Sequence, residues 1–341
     1  MSGRRLPEGK LAPGLLTELL GEAAAPSPEL RLGPQVGEDA CAIDVPAGAL
    51  VVAADPITLT GEDVGAHAVV INANDVAVTG VAPRWFTATV LLPPGTEESL
   101  LRRLFGSMRQ ALDALGAVLV GGHTEVTAAV VQPLVAGQMF GLAPDGRVLP
   151  TGGARPGDAV FQAGPVPVEG AAVLAEKSAP ALDALPGPIL AAARRALVEP
   201  GISVVAPALA AAELGAAALH DPTEGGLASG LEELAVASGV RLRLNEDRID
   251  WFEPGRAVCA ATGADPWGTL ASGCLLGAFR PERAAAAVEE LSARGFAARV
   301  IGRAEAGRGV YLSDGTPAPR FERDEVSRVL ESPPERPRRS R

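Results

Sequence analysis

The chain has 341 residues, a formal charge of −11 and 47% hydrophobic residues, with 40 glycines and 30 prolines. That length exceeds one ordinary core and predicts two domains, and the apolar fraction excludes wholesale disorder. The acidic balance excludes nucleic acid, whose binding needs Lys and Arg on phosphates, and no run reaches the ~20 apolar residues of a membrane span.

Residues 1–35 read as a mobile arm with a short helix between Leu11 and Leu20. Ala49 to Ala54 is a short Val-containing run ending at Asp55, the pattern of a buried strand. Residues 62–80 open on acids and close on Gly80, as helices do. Pro83 to Leu92 reads as a strand and Glu97 to Leu115 as an amphipathic helix. Ala117 to Val120 reads as a strand running into Gly121-Gly122-His123-Thr124-Glu125. Ala128 to Leu142 is a long apolar strand region, expected to break at Pro133 or Gly137.

A turn-rich stretch at 150–158 then restarts the pattern. It divides an N-terminal domain, 36–153, from a C-terminal domain, 154–330. Past it, Val160 to Ala163, Ala216 to His220, Leu242 to Leu244, Cys274 to Phe279 and Ala298 to Gly302 read as strands. Gly170 to Lys177, the Ala-rich 188–214, Gly226 to Ser238 and Pro281 to Arg294 read as helices, and 331–341 as a disordered tail. Strands alternate with helices and also pair directly, so the fold class is α+β. Cys41, Cys259 and Cys274 form no CxxC and read as buried free thiols. The N-terminus lacks the apolar core of a signal peptide, so a cytoplasmic protein is expected.

The informative feature is a series of carboxylates at the ends of apolar segments. Glu38-Asp39 follows Gly37, Asp55 ends a strand, and Asn72, Asn74 and Asp75 lie inside an otherwise apolar helix. Gly121 to Glu125 follows a strand, and His220-Asp221-Pro222-Thr223-Glu224-Gly225-Gly226 links a strand to a helix. Carboxylates beside apolar cores are costly unless paired or bound to a cation. Mg²⁺ takes one or two carboxylates plus substrate phosphates, so such a set suits a nucleotide held through metal despite the acidic charge. Gly225-Gly226 at a helix start reads as a phosphate cradle. Singly, Asp39, Asp55 and Asp221 also read as turn formers or caps, and His123 as a structural histidine. Their order along the chain carries more.

Six stretches in that order resemble a known superfamily: VGEDACAID (36–44), VVAADPI (51–57), NANDVAVTGVAPRWF (72–86), LVGGHTEVT (119–127), RPGDAVFQAG (155–164) and LHDPTEGGLASGLEELA (219–235). It comprises aminoimidazole ribonucleotide synthetase, selenophosphate synthetase, thiamine-monophosphate kinase and the hydrogenase-maturation carbamoyl dehydratase. The dehydratase and its uncharacterised relatives are the most similar members. The resemblance implies two PurM-like α+β domains. The N-terminal sheets of a homodimer would join into a barrel, and the C-terminal domain would be an α/β sandwich. It further implies ATP near that interface, with Mg²⁺ on acidic residues.

Carried over by motif, Asp39, Asp55, Asp75 and Glu125 are the expected metal ligands, and Asp75 and Asp221 the expected catalytic acids. Asn72, Asn74, Gly121, Gly122, His123, Thr124, Thr223, Gly225 and Gly226 are expected on ATP. Lys10, one of two lysines, is expected to fold over the phosphates. The sequence also departs from the pattern. It ends Arg338-Arg339-Ser340-Arg341 where the dehydratase carries a cysteine, and it has His123 where several relatives have Asp. The resemblance implies an ATP- and Mg²⁺-dependent enzyme activating an oxygen of a small or carbamoyl-type substrate. The alternative is a catalytically degenerate nucleotide-binding partner in hydrogenase maturation.

Overall fold

A computed structural model describes residues 13, 14, 17, 30–32, 37, 38, 41–45, 48–58 and 64–331. Lys10, Asp39, most of the expected arm and the 332–341 part of the expected tail lie outside these residues.

Among the described residues, two six-stranded sheets organise the chain. The first comprises β1 (Leu30–Leu32), β2 (Cys41–Val45), β3 (Gly48–Ile57), β4 (Pro83–Leu92), β5 (Val118–Val126) and β6 (Leu134–Ala143), in the spatial order β1-β2-β3-β6-β4-β5. Its pairings are antiparallel except β4 with β5. Along β3 and β6 burial alternates residue by residue, so one face is covered. Helix α1 (Val64–Ala77) packs on β3 and β6, and α2 (Glu98–Leu115) packs on α1.

The second sheet comprises β7 (Ala159–Ala163), β8 (Ala218–His220), β9 (Arg241–Leu244), β10 (Leu275–Phe279), β11 (Ala298–Glu305) and β12 (Gly309–Tyr311), in the order β12-β9-β11-β7-β10-β8. The helices of this half are α3 (Glu169–Lys177), α4 (Gly187–Arg194), α5 (Val205–Glu213), α6 (Gly226–Ser238), α7 (Glu253–Thr262), α8 (Pro281–Ala293) and α9 (Glu325–Glu331). One continuous core joins the halves: Val76 and Phe86 share it with Phe161, Leu219 and Phe279. Phe161 and Phe279 stack at 4.7 Å. α1 is therefore buried nearly all round, between the first sheet and α5, which explains its weak polar face.

Two expectations are corrected. Gly121 to Glu125 do not follow the strand but belong to it, because β5 runs extended to Val126. β6 starts directly after Pro133, one of the two expected break points, and passes unbroken through Gly137. A Cβ at Gly137 would lie 2.5 Å from Asn72 Nδ2 and 2.8 Å from the Phe86 ring, so this glycine lets α1 close on the sheet. The Ala-rich stretch splits into α4 and α5 around Pro200. Among the described residues no single helix is long and apolar enough to cross a membrane.

Candidate functional site

Two of the sequence-predicted residues, Asp55 and Thr223, come together where the two halves meet. A cavity of about 130 Å³ is lined by Asp55 at the end of β3, Ile71 of α1, Glu169 at the start of α3, Thr223 and Glu224 before α6, and Ser272. Two larger hollows, of about 750 and 520 Å³, lie against 142–149 and against α2 with β5, and neither gathers these residues.

Side-chain amides fix one wall. Asp55 N–H donates to Asn72 Oδ1 at 2.8 Å, and Asn72 Nδ2 donates to Ala68 O at 2.8 Å and Asp55 O at 3.2 Å. Asn72 and Asn74 are fully buried, and Asn74 bonds only main chain of the second half. The expectation that these amides face ATP is therefore corrected: buried polar groups must be satisfied, and theirs are satisfied by backbone. Asp75 follows Ile71 by one turn on the same face of α1 and is 8% exposed. Asp221 closes β8 and is buried.

The opposite wall holds Glu169. Gly170 N–H donates to Leu270 O at 2.9 Å, and a Cβ at Gly170 would lie 2.4 Å from Thr269 Cγ2, so the helix start is pressed on the loop before Ser272. Glu169 is buried, and burial raises its carboxyl to about pKa 7; the Ser272 hydroxyl opposes the shift, while Glu224 and Asp55 add to it. Three carboxyls thus face one small cavity, and Glu169 retains a proton to near neutrality.

The turn 223–226 does not form the expected phosphate cradle. Gly225 and Gly226 have φ of +80° and +67°, and a Cβ at Gly226 would lie 2.6 Å from Trp267 O. Gly225 N–H donates to Asp324 Oδ2 at 2.8 Å and Gly226 N–H to Thr223 O at 3.1 Å. These amides already serve the protein, and the glycines answer backbone crowding. Thr223 does reach the cavity.

Gly121, Gly122, His123, Thr124 and Glu125 lie elsewhere, exposed along the edge strand β5. His123 Nε2 is 3.7 Å from Glu125 Oε2. Cross-strand register aligns Asp55 with Gly137, Ala88 and Gly122. Asp55 and Gly122 are thus three strands apart, roughly 14 Å along the sheet, and Glu125 is not beside Asp55 within one chain. Gly122 has φ +149°, and a Cβ there would lie 2.1 Å from Ala88 O, so pairing with β4 requires glycine.

The thiols and the aromatic residues of the second half serve structure. Cys259 and Cys274 are buried free thiols. Burial pushes Cys259 up to about 11 and Cys274 further in the same direction, so neither supplies a thiolate. Trp251 and Trp267 meet edge to face at 5.5 Å against the core of the second half. Gly37 packs on Glu233 of α6, whose carboxylate holds His220 Nε2 at 2.9 Å. Sequence reasoning missed Glu169 and left Glu224 without a role. The only signal for Glu169 was an acid directly after Pro165-Val166-Pro167-Val168 at a helix start.

Residues 37–143 match the N-terminal domain of AIR synthase related proteins, and residues 155–315 match their C-terminal domain. The chain belongs to the AIR synthase related family. Its fold is the two-domain, PurM-like α+β architecture. A carbamoyl dehydratase HypE from Rhodobacter capsulatus is 34% identical over 256 residues, covering 74% of this chain and 72% of its own. A crystal structure of the hydrogenase maturation protein HypE in complex with ATP superposes with a TM-score of 0.70 at 25% identity, covering 86% of this chain and 92% of its own. A ThiL structure complexed with AMPPCP and TMP shares the fold, with a TM-score of 0.71 at 20% identity, covering 91% and 94%. The dehydratase and thiamine-monophosphate kinase homologues are enzymes of this superfamily.

The cavity's donors fit a hard cation. Its polar lining residues carry carboxylates and hydroxyls, with no Lys or Arg among them, the ligand chemistry of Mg²⁺. Among the described residues no group of three or more His, Cys, Asp or Glu side chains is placed to hold a metal ion. Magnesium needs none, since it takes one or two carboxylates and completes its shell with water and phosphate.

Proposed function

We propose that the protein is a cytoplasmic ATP- and Mg²⁺-dependent enzyme that phosphorylates or otherwise activates an oxygen of a small, carbamoyl-type substrate. The observation that carries this reading is the oxygen-lined cavity between the two halves, with Asp55 facing Glu169 and Glu224. A triphosphate enters such a site only with cations, so Asp55, with Asp75 one turn from the cavity wall, is assigned to metal. Magnesium would neutralise phosphate charge and stabilise the transferred phosphoryl group. Glu169 holds a proton at the cavity wall. Thr223 is assigned to ATP at the cavity rim with Glu224 beside it, and Asp221 to placing substrate or phosphate.

The same reading makes the enzyme a homodimer through β5. Nine residues of this edge strand are exposed, with Val118 at 54%, Val120 at 55% and Val126 at 61%. A long apolar edge is a template for pairing with another chain. A second copy would bury it and bring Glu125 and the Gly121-Gly122 segment to an interface. The similarity to HypE with ATP supports nucleotide binding, and the R. capsulatus dehydratase supports the carbamoyl class.

The test is ATP consumption by the purified protein with and without Mg²⁺, with nucleotide binding followed by calorimetry. Mg²⁺-dependent ADP or AMP release that rises with a carboxamide or carbamoyl compound is the expected result. Absence of nucleotide binding overturns the reading. The alternative, a catalytically degenerate nucleotide-binding partner, draws support from His123, a weaker ligand for a hard cation than carboxylate. It predicts tight binding without turnover for any substrate.

A further inference from the structure

We propose that Asp324, on the segment following the second sheet, is a positioning residue for the site: through Gly225 it sets the turn that carries Thr223 and Glu224 into the cavity. The proposal rests on the functional reading above for its catalytic consequence, and on geometry alone for the positioning.

Asp324 is buried at 7% exposure and holds two main-chain groups with its two oxygens. Oδ2 accepts from Gly225 N–H at 2.8 Å, across 99 residues of sequence, and Oδ1 accepts from Val326 N–H at 2.8 Å, capping α9. Gly225 and Gly226 are consecutive left-handed residues, a geometry with little intrinsic preference of its own. The turn is therefore held from outside. Ala271 N–H donates to Thr223 O at 3.2 Å, Ala228 N–H to Trp267 O at 3.0 Å, and Asp324 takes the remaining point at Gly225.

Asp324 is the one of these three anchors that is a side chain, and it alone brings the C-terminal segment to the turn. The neighbouring Glu325 binds the same segment elsewhere. Its carboxylate accepts from Asp265 N–H at 2.8 Å and pairs with Arg328, and its own N–H donates to Gly268 O at 2.9 Å. Phe321 packs on Gly268, where a Cβ would lie 2.6 Å from the ring. Docking of the segment and positioning of the turn are thus carried by adjacent but different side chains. Burial raises the Asp324 carboxyl to about 7 against its two N–H donors, with Glu224 and Glu169 adding to the shift, so the anchor is electrostatically linked to the cavity it serves.

The experiment compares D324N, D324S and E325Q in the full chain. Ser keeps an acceptor for the α9 cap, yet its single oxygen cannot serve both Val326 and Gly225. D324S therefore removes the Gly225 bond while preserving the helix start. Two readouts are taken: kcat and KM for Mg²⁺-dependent ATP turnover, and hydrogen exchange of a peptide spanning 221–227. D324N and D324S are expected to lower kcat about tenfold, as loss of a charged hydrogen bond that orients a site does, with KM for ATP little changed. Both should speed exchange at 221–227, and E325Q should do neither. Equal kcat losses in all three variants would reduce Asp324 to a segment anchor and overturn the proposal. So would unchanged exchange at 221–227 in D324S. If the wild-type chain turns over no ATP, the functional reading fails, and the exchange comparison alone still decides the positioning role.

Discussion

Asn74 of α1 holds the main chain of the second half at two points: its Nδ2 donates to Ile202 O and its Oδ1 accepts from Val204 N–H, each at 2.8 Å and fully buried. The carboxamide supplies one donor and one acceptor to a chain segment 128 to 130 residues away, so it ties α1 to the second half. N74A leaves two buried main-chain groups unpaired. It should destabilise the fold by roughly 2–4 kcal/mol, read as a shift in urea midpoint. N74D keeps the acceptor but sets a carboxylate against the Ile202 carbonyl and should be at least as destabilising. A midpoint within error of wild type in both variants would remove Asn74 as the clasp.

Asp55 is expected to trade stability for function. It faces Glu169 and Glu224 across the cavity, and its charge raises the Glu169 carboxyl. D55N relieves that repulsion and retains the Asn72 bonds, which go to Asp55 main chain. Turnover should fall at least 100-fold, the scale of losing a charge that organises phosphoryl transfer, while Tm holds or rises by about 1–3 °C. Full Mg²⁺-dependent activity in D55N would remove Asp55 from the metal site.

The raised carboxyls give stability a defined pH dependence. Glu169 moves from 4.5 to about 7 and Asp324 from 3.8 to about 7 on folding, both chiefly through burial. The native state therefore binds protons more tightly than the unfolded chain. The stabilisation is complete below the unfolded values and is lost as pH rises through 7. E169Q keeps a neutral side chain throughout. Its Tm relative to wild type should climb by roughly 3 °C between about pH 5 and about pH 8. A constant difference would show that Glu169 does not titrate in that window.

The β5 edge predicts an association phenotype separable from folding. Val120 is 55% exposed in the single chain, so V120K should change monomer stability by no more than about 0.5 kcal/mol. In a dimer paired through β5 it buries a charge against its own copy. Sedimentation should show a dimeric wild type and a monomeric V120K. A dimeric variant would place the interface elsewhere.

Much of the fold is legible in the sequence because its elements are locally determined. Pro83–Leu92 and Gly226–Ser238 have the bounds their patterns predict, fixed by the proline and glycine residues that bound them. The ordered blocks around Asp55, Asp75, Gly121 and Asp221 carry the resemblance to the superfamily, and the two matching domains bear it out. Local pattern fails where a residue's role lies in a distant partner. Asn72 and Asn74 look like ligands along the chain, and only the packing of α1 between two layers shows their amides engaged by backbone. Gly121 to Glu125 carry turn residues, yet β4 offers a register in which Gly122 alone fits, and the segment becomes strand.

Glu169 and Asp324 were illegible for the converse reason. Each is an ordinary acid at a helix start, and no periodicity marks it. Folding brings Glu169 opposite Asp55 and Asp324 onto Gly225, and the exclusion of water there turns routine carboxylates into groups that hold protons near neutrality. The sequence by itself determined which elements form and which family they assemble into, because propensity, capping and turn chemistry act over a few residues. The tertiary structure alone decided which acids share a cavity, because burial and charge proximity depend on residues about a hundred positions apart meeting in space.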